Sequence, residues 1–303
     1  MPCRLTPTRQ FERLVCLRNV SQTTRRRGHR QVLRMYRCSR QALDTAYKVS
    51  LCVEGNISSG KSTFLSEVLS SASRLEDLVY TVPEPVQSWQ SVPRKSASNP
   101  PHNLLKEFYT NPERYAYVFQ NYVFMTRYLQ ERQSAGTSKL LRITERSVFS
   151  DRNVFVESVH EQGWLSELEA DLYNAWLYPM INALPSLIPD GFIYLRVEPD
   201  VCMERLQRRA RGEELNITLE YLESLHYKHE KWLLQDVRAL TVGKKHQETL
   251  TIGFVTDHMC SQFKKKPVLI LEFGHDVDFS SDDKTVEQLG KKVRAFYDYI
   301  SDE

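Results

Sequence analysis

Residues 55 to 62 read GNISSGKS, which fits the spacing GxxxxGK(S/T). The apolar run VSLCVEG precedes it and helical spacing follows, so the motif sits between a strand and a helix, the context that gives it meaning. Its glycines let the backbone turn until several N–H groups converge on one cluster of phosphate oxygens. The N-terminus of the next helix adds partial positive charge. Lys61 is placed to reach the β- and γ-phosphates, and the Ser62 hydroxyl to ligate magnesium. The cradle comprises Gly55, Asn56, Ile57, Ser58, Ser59, Gly60, Lys61, Ser62 and Thr63. It specifies a nucleoside triphosphate, without choosing between a kinase, a GTPase and a motor.

A loop of this kind belongs to a parallel sheet, and the chain supplies the strands. Five short apolar runs begin at Val49, Leu78, Leu140, Gly191 and Pro267, separated by long stretches of helical spacing. The alternation predicts an α/β domain over 48–303, with a five-stranded parallel sheet flanked by helices. The clearest helix starts at NPERYAYVFQNYVFMTRYLQERQ, with Asn111 to cap it, Pro112 in its first turn and Glu113 to complement its dipole. Further helices are expected from Ser166, over DVCMERLQRRARGEE, over TLEYLESLHYKHEKWLL and over DKTVEQLGKKVRAFYDYI. Residues 235–266, polar and lysine-rich, read as a long surface insertion.

Charge divides the chain. Residues 1–47 hold eleven arginines against Glu12 and Asp44, a balance of +9, so the net +3 leaves −6 on the remainder. An arginine-rich, acid-poor leader has the composition of a mitochondrial or plastid transit peptide. The alternative is a disordered basic tail on a cytoplasmic protein, and both readings stand. No apolar run reaches the roughly 18 residues of a membrane helix. The six cysteines include no CxxC pair, which argues against a zinc site or a disulfide scaffold and for a reducing compartment.

Ligands of open α/β sheets lie at the C-terminal ends of the strands. There the second strand ends in VPEPVQSW, with Glu84 fixed between two prolines, and a fixed carboxylate near a γ-phosphate can take the proton of an attacking hydroxyl. A solvated loop glutamate is the equal alternative. The third strand ends in TERSVFSDR, whose Glu145 can hold hydrated magnesium and whose Arg146 can orient a nucleophile, unless the two form a structural ion pair. On the long helix Gln120 and Arg127 share a face. Periodicity alone favours solvent-facing polar positions there. The cluster Arg205, Arg208, Arg209 and Arg211 follows the fourth strand, where a phosphate-binding kinase carries a lid.

The blocks EGNISSGKST, VPEPVQSW, FYTNPERYAYVFQNYVFMTR, ERSVFSDRNVF, YLRVEPDVCMERLQRRARGEE and LEYLESLHYKHEKWL resemble, in order, those of the deoxyribonucleoside kinases. This family of P-loop kinase fold includes deoxycytidine, deoxyguanosine and mitochondrial thymidine kinases. The wording of the blocks looks most like the plant members.

The resemblance implies ATP and Mg2+ as cofactors and phosphorylation of a deoxynucleoside 5′-hydroxyl, in nucleotide salvage. It makes Glu84 the general base, Arg146 its neighbour at that hydroxyl, and Glu145 with Ser62 the magnesium-associated pair. Tyr109 and Glu214 would bind the 3′-hydroxyl, and Gln120 the base edge. Ile57, Trp89, Phe119 and Phe155 would wall the base, and Arg205, Arg209 and Arg211 would form the lid. Arg127 and Asp151 match a pair carried by deoxycytidine and deoxyguanosine kinases. The implied substrates are therefore deoxyadenosine, deoxyguanosine and deoxycytidine, with thymidine poor. A homodimer and feedback inhibition by a deoxynucleoside triphosphate are implied in the same way, whereas nucleic acid and membrane are not expected partners. A monophosphate kinase would instead need arginines for the acceptor phosphate where this chain has Glu84 and Tyr109.

Overall fold

The computed structural model describes residues 49–69, 75–95, 99–243, 247–256, 260, 263, 265–274 and 283–302; the arginine-rich leader lies outside them. Its sheet has seven strands rather than the five expected: β1 (Val49–Glu54), β2 (Val79–Val82), β3 (Leu141–Glu145), β4 (Gly191–Arg196), β5 (Gln235–Val242), β6 (Glu248–Val255) and β7 (Lys266–Glu272). They lie in the order β2-β3-β1-β4-β7-β6-β5. The five expected strands all pair in parallel. The two additional strands fall within residues 235–266 and extend the sheet past β7 as an antiparallel hairpin. In β6 the side chains of Leu250, Ile252 and Phe254 alternate into the core. The outer strand β5 is exposed along most of its length.

β1 lies inside the sheet between β3 and β4, and all six of its residues are buried, as a strand covered on both faces requires. Its partners set the heights of the functional strand ends: Val53 pairs with Glu145 on β3, and Glu54 with Tyr194 on β4. After Glu54 the chain must turn tightly. A Cβ on Gly55 would lie 2.7 Å from the Leu195 carbonyl oxygen, and Gly60 takes φ 93° to open the helix.

That helix, α1 (Lys61–Thr63), continues as π-helical turns over Phe64–Val68. Two short helices, α2 (Val86–Gln90) and α3 (Leu104–Thr110), lead to α4 (Pro112–Ser134). The Asn111 side chain accepts from the Arg114 N–H, so the expected cap is present. On α4 the buried face includes Phe119, Gln120, Val123, Phe124, Arg127 and Glu131. The polar residues among them therefore face inward, against the preference of periodicity. Arg127 turns in because acids from two other elements, Glu84 and Asp151, meet it there.

After β3, α5 (Val148–Ser150) runs through π-helical Asp151–Val156 into α6 (Glu157–Glu161). α7 (Glu167–Ala183) starts from a Ser166/Glu169 capping box, and α8 (Pro199–Arg209) stops at Ala210 in a left-handed conformation. α9 (Leu219–Leu233) is capped by Thr218, and α10 (Asp283–Asp302) ends the chain's described part.

Candidate active site

The C-terminal ends of β1, β2 and β3 open into a cavity of about 680 Å3, a size typical of ligand pockets. Ile57, Ser58, Gly60, Lys61, Ser62 and Thr63 form one side of it. Glu84, Glu145 and Arg146 form its floor, as the three strand ends require. Trp89, Tyr109, Phe119, Gln120, Arg127, Asp151 and Phe155 line the deep end. Arg205, Arg209, Arg211 and Glu214 close it from above. Three residues of the sequence-derived cradle are not on the wall. Gly55, Asn56 and Ser59 shape the turn from behind, with Asn56 donating to the Leu222 carbonyl of α9 at 2.9 Å. Val86, Leu105, Phe108, Val123, Arg208 and Tyr221 also line the cavity, although the resemblance assigned them no role. Arg208 carried a signal as part of the arginine cluster, and Val123 as a branched residue on the helix expected to line the base; the others read in sequence as ordinary core positions.

The floor is a connected array of charges. Arg127 uses three donors at once: Nε to Asp151 Oδ2 at 2.7 Å, Nη1 to the Glu145 carbonyl at 3.0 Å, and Nη2 to Glu84 Oε1 at 2.6 Å. One N–H on each terminal nitrogen is left over for a ligand. Arg146 Nε lies 3.3 Å from the same Glu84 oxygen, its guanidinium 4.7 Å above the Phe155 ring. Arg146 also adopts φ 63°, a left-handed backbone costly for a residue with a side chain and found at sites that over-determine geometry. Burial would push the Glu84 carboxyl up, but Arg146, Arg127 and Lys61 together hold it below its ordinary value, so it is ionised at neutral pH. Burial pushes the Asp151 carboxyl up, against the pull of Arg127.

Glu145 ties this array to the cradle. Its Oε1 accepts from the Ser62 hydroxyl at 2.8 Å and its Oε2 from the Glu84 backbone N–H at 3.3 Å. Lys61 donates to the carbonyl of Asn56 at 2.6 Å and of Gly55 at 3.2 Å. Burial, aided by Arg146, pulls its ammonium down to about 7. Glu54, fully buried behind the cradle, accepts from the Ser147 hydroxyl at 2.6 Å, while among the described residues its second oxygen meets no hydrogen-bond donor at bonding geometry. Burial pushes that carboxyl up to about 7.

Two of the lining side chains are held by neighbours. The Glu214 carboxylate, expected beside Tyr109, is held by both Arg209 and Arg211. A carboxylate this buried requires cationic partners, and the nearest are on its own turn. Trp89 is fixed by a hydrogen bond from its indole N–H to the Thr126 hydroxyl at 2.9 Å, and its ring meets Phe119 edge-on.

The deoxynucleoside kinase family profile matches residues 51–298. The chain belongs to the deoxynucleoside kinase family. Deoxycytidine kinase 2 of Gallus gallus is 34% identical over 272 residues, covering 84% of this chain and 93% of its own. The mitochondrial deoxyguanosine kinase of Xenopus laevis is 36% identical over 258 residues, covering 81% and 88%. Deoxycytidine kinase of Homo sapiens is 37% identical over 260 residues, covering 81% and 90%. A deoxynucleoside kinase needs room for a sugar and a base beside a triphosphate loop, which is the layout of this cavity.

Proposed function

We propose that this kinase transfers the γ-phosphoryl group of ATP to the 5′-hydroxyl of deoxyadenosine, deoxyguanosine and deoxycytidine, with thymidine a poor acceptor. The observation that carries the reading is the placement of Glu84, an ionised carboxylate whose backbone is joined through Glu145 to the phosphate cradle.

In this reading the nucleoside lies with its base among Trp89, Phe119 and Phe155, with Gln120 at its edge, and its sugar near Tyr109 and Glu214. Glu84 accepts the 5′-hydroxyl proton as the oxygen attacks the γ-phosphorus. Arg146 orients that oxygen, and Lys61 with Arg205, Arg209 and Arg211 carries the developing charge. Arg209 and Arg211 then leave Glu214 for the triphosphate, and the freed carboxylate accepts from the sugar hydroxyl.

Mg2+ is tested by the donor set. Among the described residues no three His, Cys, Asp or Glu side chains gather as a metal cage. A kinase magnesium needs none, since it takes hard oxygen donors from one or two side chains and the rest from phosphates and water. Ser62 and Glu145, a hydroxyl and a carboxylate 2.8 Å apart at the cradle, fit that description. When bound there, the ion would neutralise phosphate charge.

Base preference follows from Asp151. Its carboxylate can accept from an exocyclic amine of adenine or cytosine, whereas thymine offers a carbonyl at the matching edge. The spare Arg127 donors suit the acceptors of guanine.

The reading extends to the setting of the enzyme. A homodimer through α4 and α7 is supported by the exposed stripe Leu168, Leu172 and Trp176 on α7 and by Val118 and Leu129 on α4. Feedback inhibition by an end-product deoxynucleoside triphosphate is supported by a cavity that joins base wall and phosphate cradle. An organelle address is supported by the arginine-rich leader and by the mitochondrial relative, and fusion of residues 1–47 to a fluorescent protein tests it.

The deciding experiment supplies the full chain with ATP and, in turn, the four deoxynucleosides and their monophosphates. The expected result is ATP-dependent consumption of the nucleosides. Phosphorylation of the monophosphates alone would overturn the reading in favour of a monophosphate kinase.

A further inference from the structure

The short 3-10 turn Gly212–Glu214 joins α8 to α9 and carries two adjacent acids that face different ways. Glu214, assigned above to the sugar, holds Arg209 and Arg211, which were assigned to the nucleotide. Glu213 is outside the cavity wall. Its Oε1 accepts from Asn103 Nδ2 at 2.8 Å and from Gln90 Nε2 at 3.0 Å. Gln90 ends α2, and Asn103 caps α3 through its other amide atom, which accepts from the Lys106 N–H at 2.9 Å. Three residues beyond Glu213, Asn216 donates to the Tyr109 carbonyl at 3.5 Å. The turn is thus sewn to the two helices that carry Trp89 and Tyr109, residues of the nucleoside side.

A half-buried carboxylate with two amide donors from separate elements is a charge-assisted link, stronger than a neutral pair and sensitive to the placement of both helices. The Asn103 amide, aided by Gln90, holds the Glu213 carboxyl below its ordinary value, so the link is intact at neutral pH. Its mechanical consequence is that a shift of α2 or α3 reaches the turn on which the lid arginines are paired.

We propose that Glu213 is a positioning residue that couples the two halves of the cavity: a nucleoside seated against α2 and α3 draws the lid into place, and a nucleotide under the lid tightens the nucleoside side. The two effects are equal, because coupling between binding sites is reciprocal. The inference rests on the assignment of nucleoside and nucleotide sides made above.

The test is equilibrium binding to the full chain of deoxycytidine and of a non-hydrolysable ATP analogue with magnesium, each alone and with the other saturating. In the wild type each ligand is expected to tighten the other by about tenfold. Glu213→Ala is expected to bring that factor close to one while the single-ligand constants stay within about threefold. Asn103→Asp keeps a good helix cap but sets a carboxylate against Glu213, and also loses the coupling. Combining Asn103→Asp with Glu213→Gln restores it, since the new amide can donate to the new carboxylate. A wild-type factor of one, an unchanged factor in Glu213→Ala, or a double variant no better than Asn103→Asp overturns the inference. A wild type that binds neither ligand overturns the functional reading itself, and this inference with it.

Discussion

Arg127 and Asp151 face each other across 2.7 Å in the deep end of the cavity, and the same guanidinium also holds Glu84. In the proposed mechanism, base recognition and proton transfer therefore share one side chain. A base that disturbs Asp151 disturbs the group that orients the proposed general base.

That sharing gives thymidine a double disadvantage. In that mechanism its carbonyl would leave the Asp151 oxygen not held by Arg127 unsatisfied, at a cost of about 1–3 kcal/mol. The expected kcat/KM for thymidine is about ten- to a hundredfold below the best of the other three deoxynucleosides. Replacing Asp151 by alanine should narrow the gap, chiefly by losing activity on deoxycytidine and deoxyadenosine. Parallel assays of the four nucleosides on both proteins check this, and thymidine as the preferred wild-type substrate would refute it.

Glu84→Gln keeps size and hydrogen-bonding capacity but removes the proton acceptor. General-base catalysis is worth about a hundred- to ten-thousandfold, so kcat should fall by that much. The deoxynucleoside dissociation constant should change by less than about threefold, since the base wall is untouched. Turnover close to wild type would remove Glu84 from the mechanism.

Lys61 sits at about 7 while its ammonium rests on its own loop carbonyls. Triphosphate binding favours the charged form and raises that value. The bound state therefore takes up a proton, and nucleotide affinity should weaken as pH rises from about 7 to 9. Calorimetry in two buffers of different ionisation enthalpy measures the uptake. Lys61→Met should abolish it.

Glu54 behaves oppositely in folding. Its carboxyl rises from 4.5 to about 7 in the folded chain, so the native state binds the proton more tightly than the unfolded one. Its contribution to stability is complete below about 4.5 and is lost as pH climbs through about 7. Glu54→Gln should accordingly gain stability over the wild type at pH 8 and converge with it near pH 4.5, as read from denaturant titrations at several pH values.

Behind the floor, Arg142 on β3 and Glu131 on α4 form a buried ion pair at 2.6 Å. Glu131→Ala removes the carboxylate that faces this buried guanidinium, which keeps its bonds to the Ser134 and Ser50 hydroxyls, and should cost about 3–5 kcal/mol. Replacing both together, by Leu and Met, should recover most of that loss, which chemical denaturation can measure.

Much of this architecture was written locally. Asn111, Ser166 and Thr218 cap helices because each has a side-chain oxygen that reaches a free N–H two or three residues on, a relation contained within the sequence neighbourhood. Strands β1, β3, β4 and β7 were visible because burial on both faces demands continuous apolar runs, whereas the half-exposed edge strand β2 showed through its β-branched and aromatic residues. The hairpin was hidden by its lysine-rich surroundings, although Leu250, Ile252 and Phe254 alternate as a half-buried strand does. The inward turn of Arg127 was not local at all. Its partners come from 43 residues before it and 24 after it, and only the assembled sheet brings them to one place. The same holds for Glu213, whose donors are 110 and 123 residues away.

The extra strands β5 and β6 join the sheet at the flank opposite β2 and β3, whose ends carry Glu84 and Glu145. Growth of the polypeptide and phosphoryl chemistry thus occupy separate margins of one scaffold. A chain of this design can lengthen, acquire a partner or shed residues along its outer strand without moving an atom that the reaction needs.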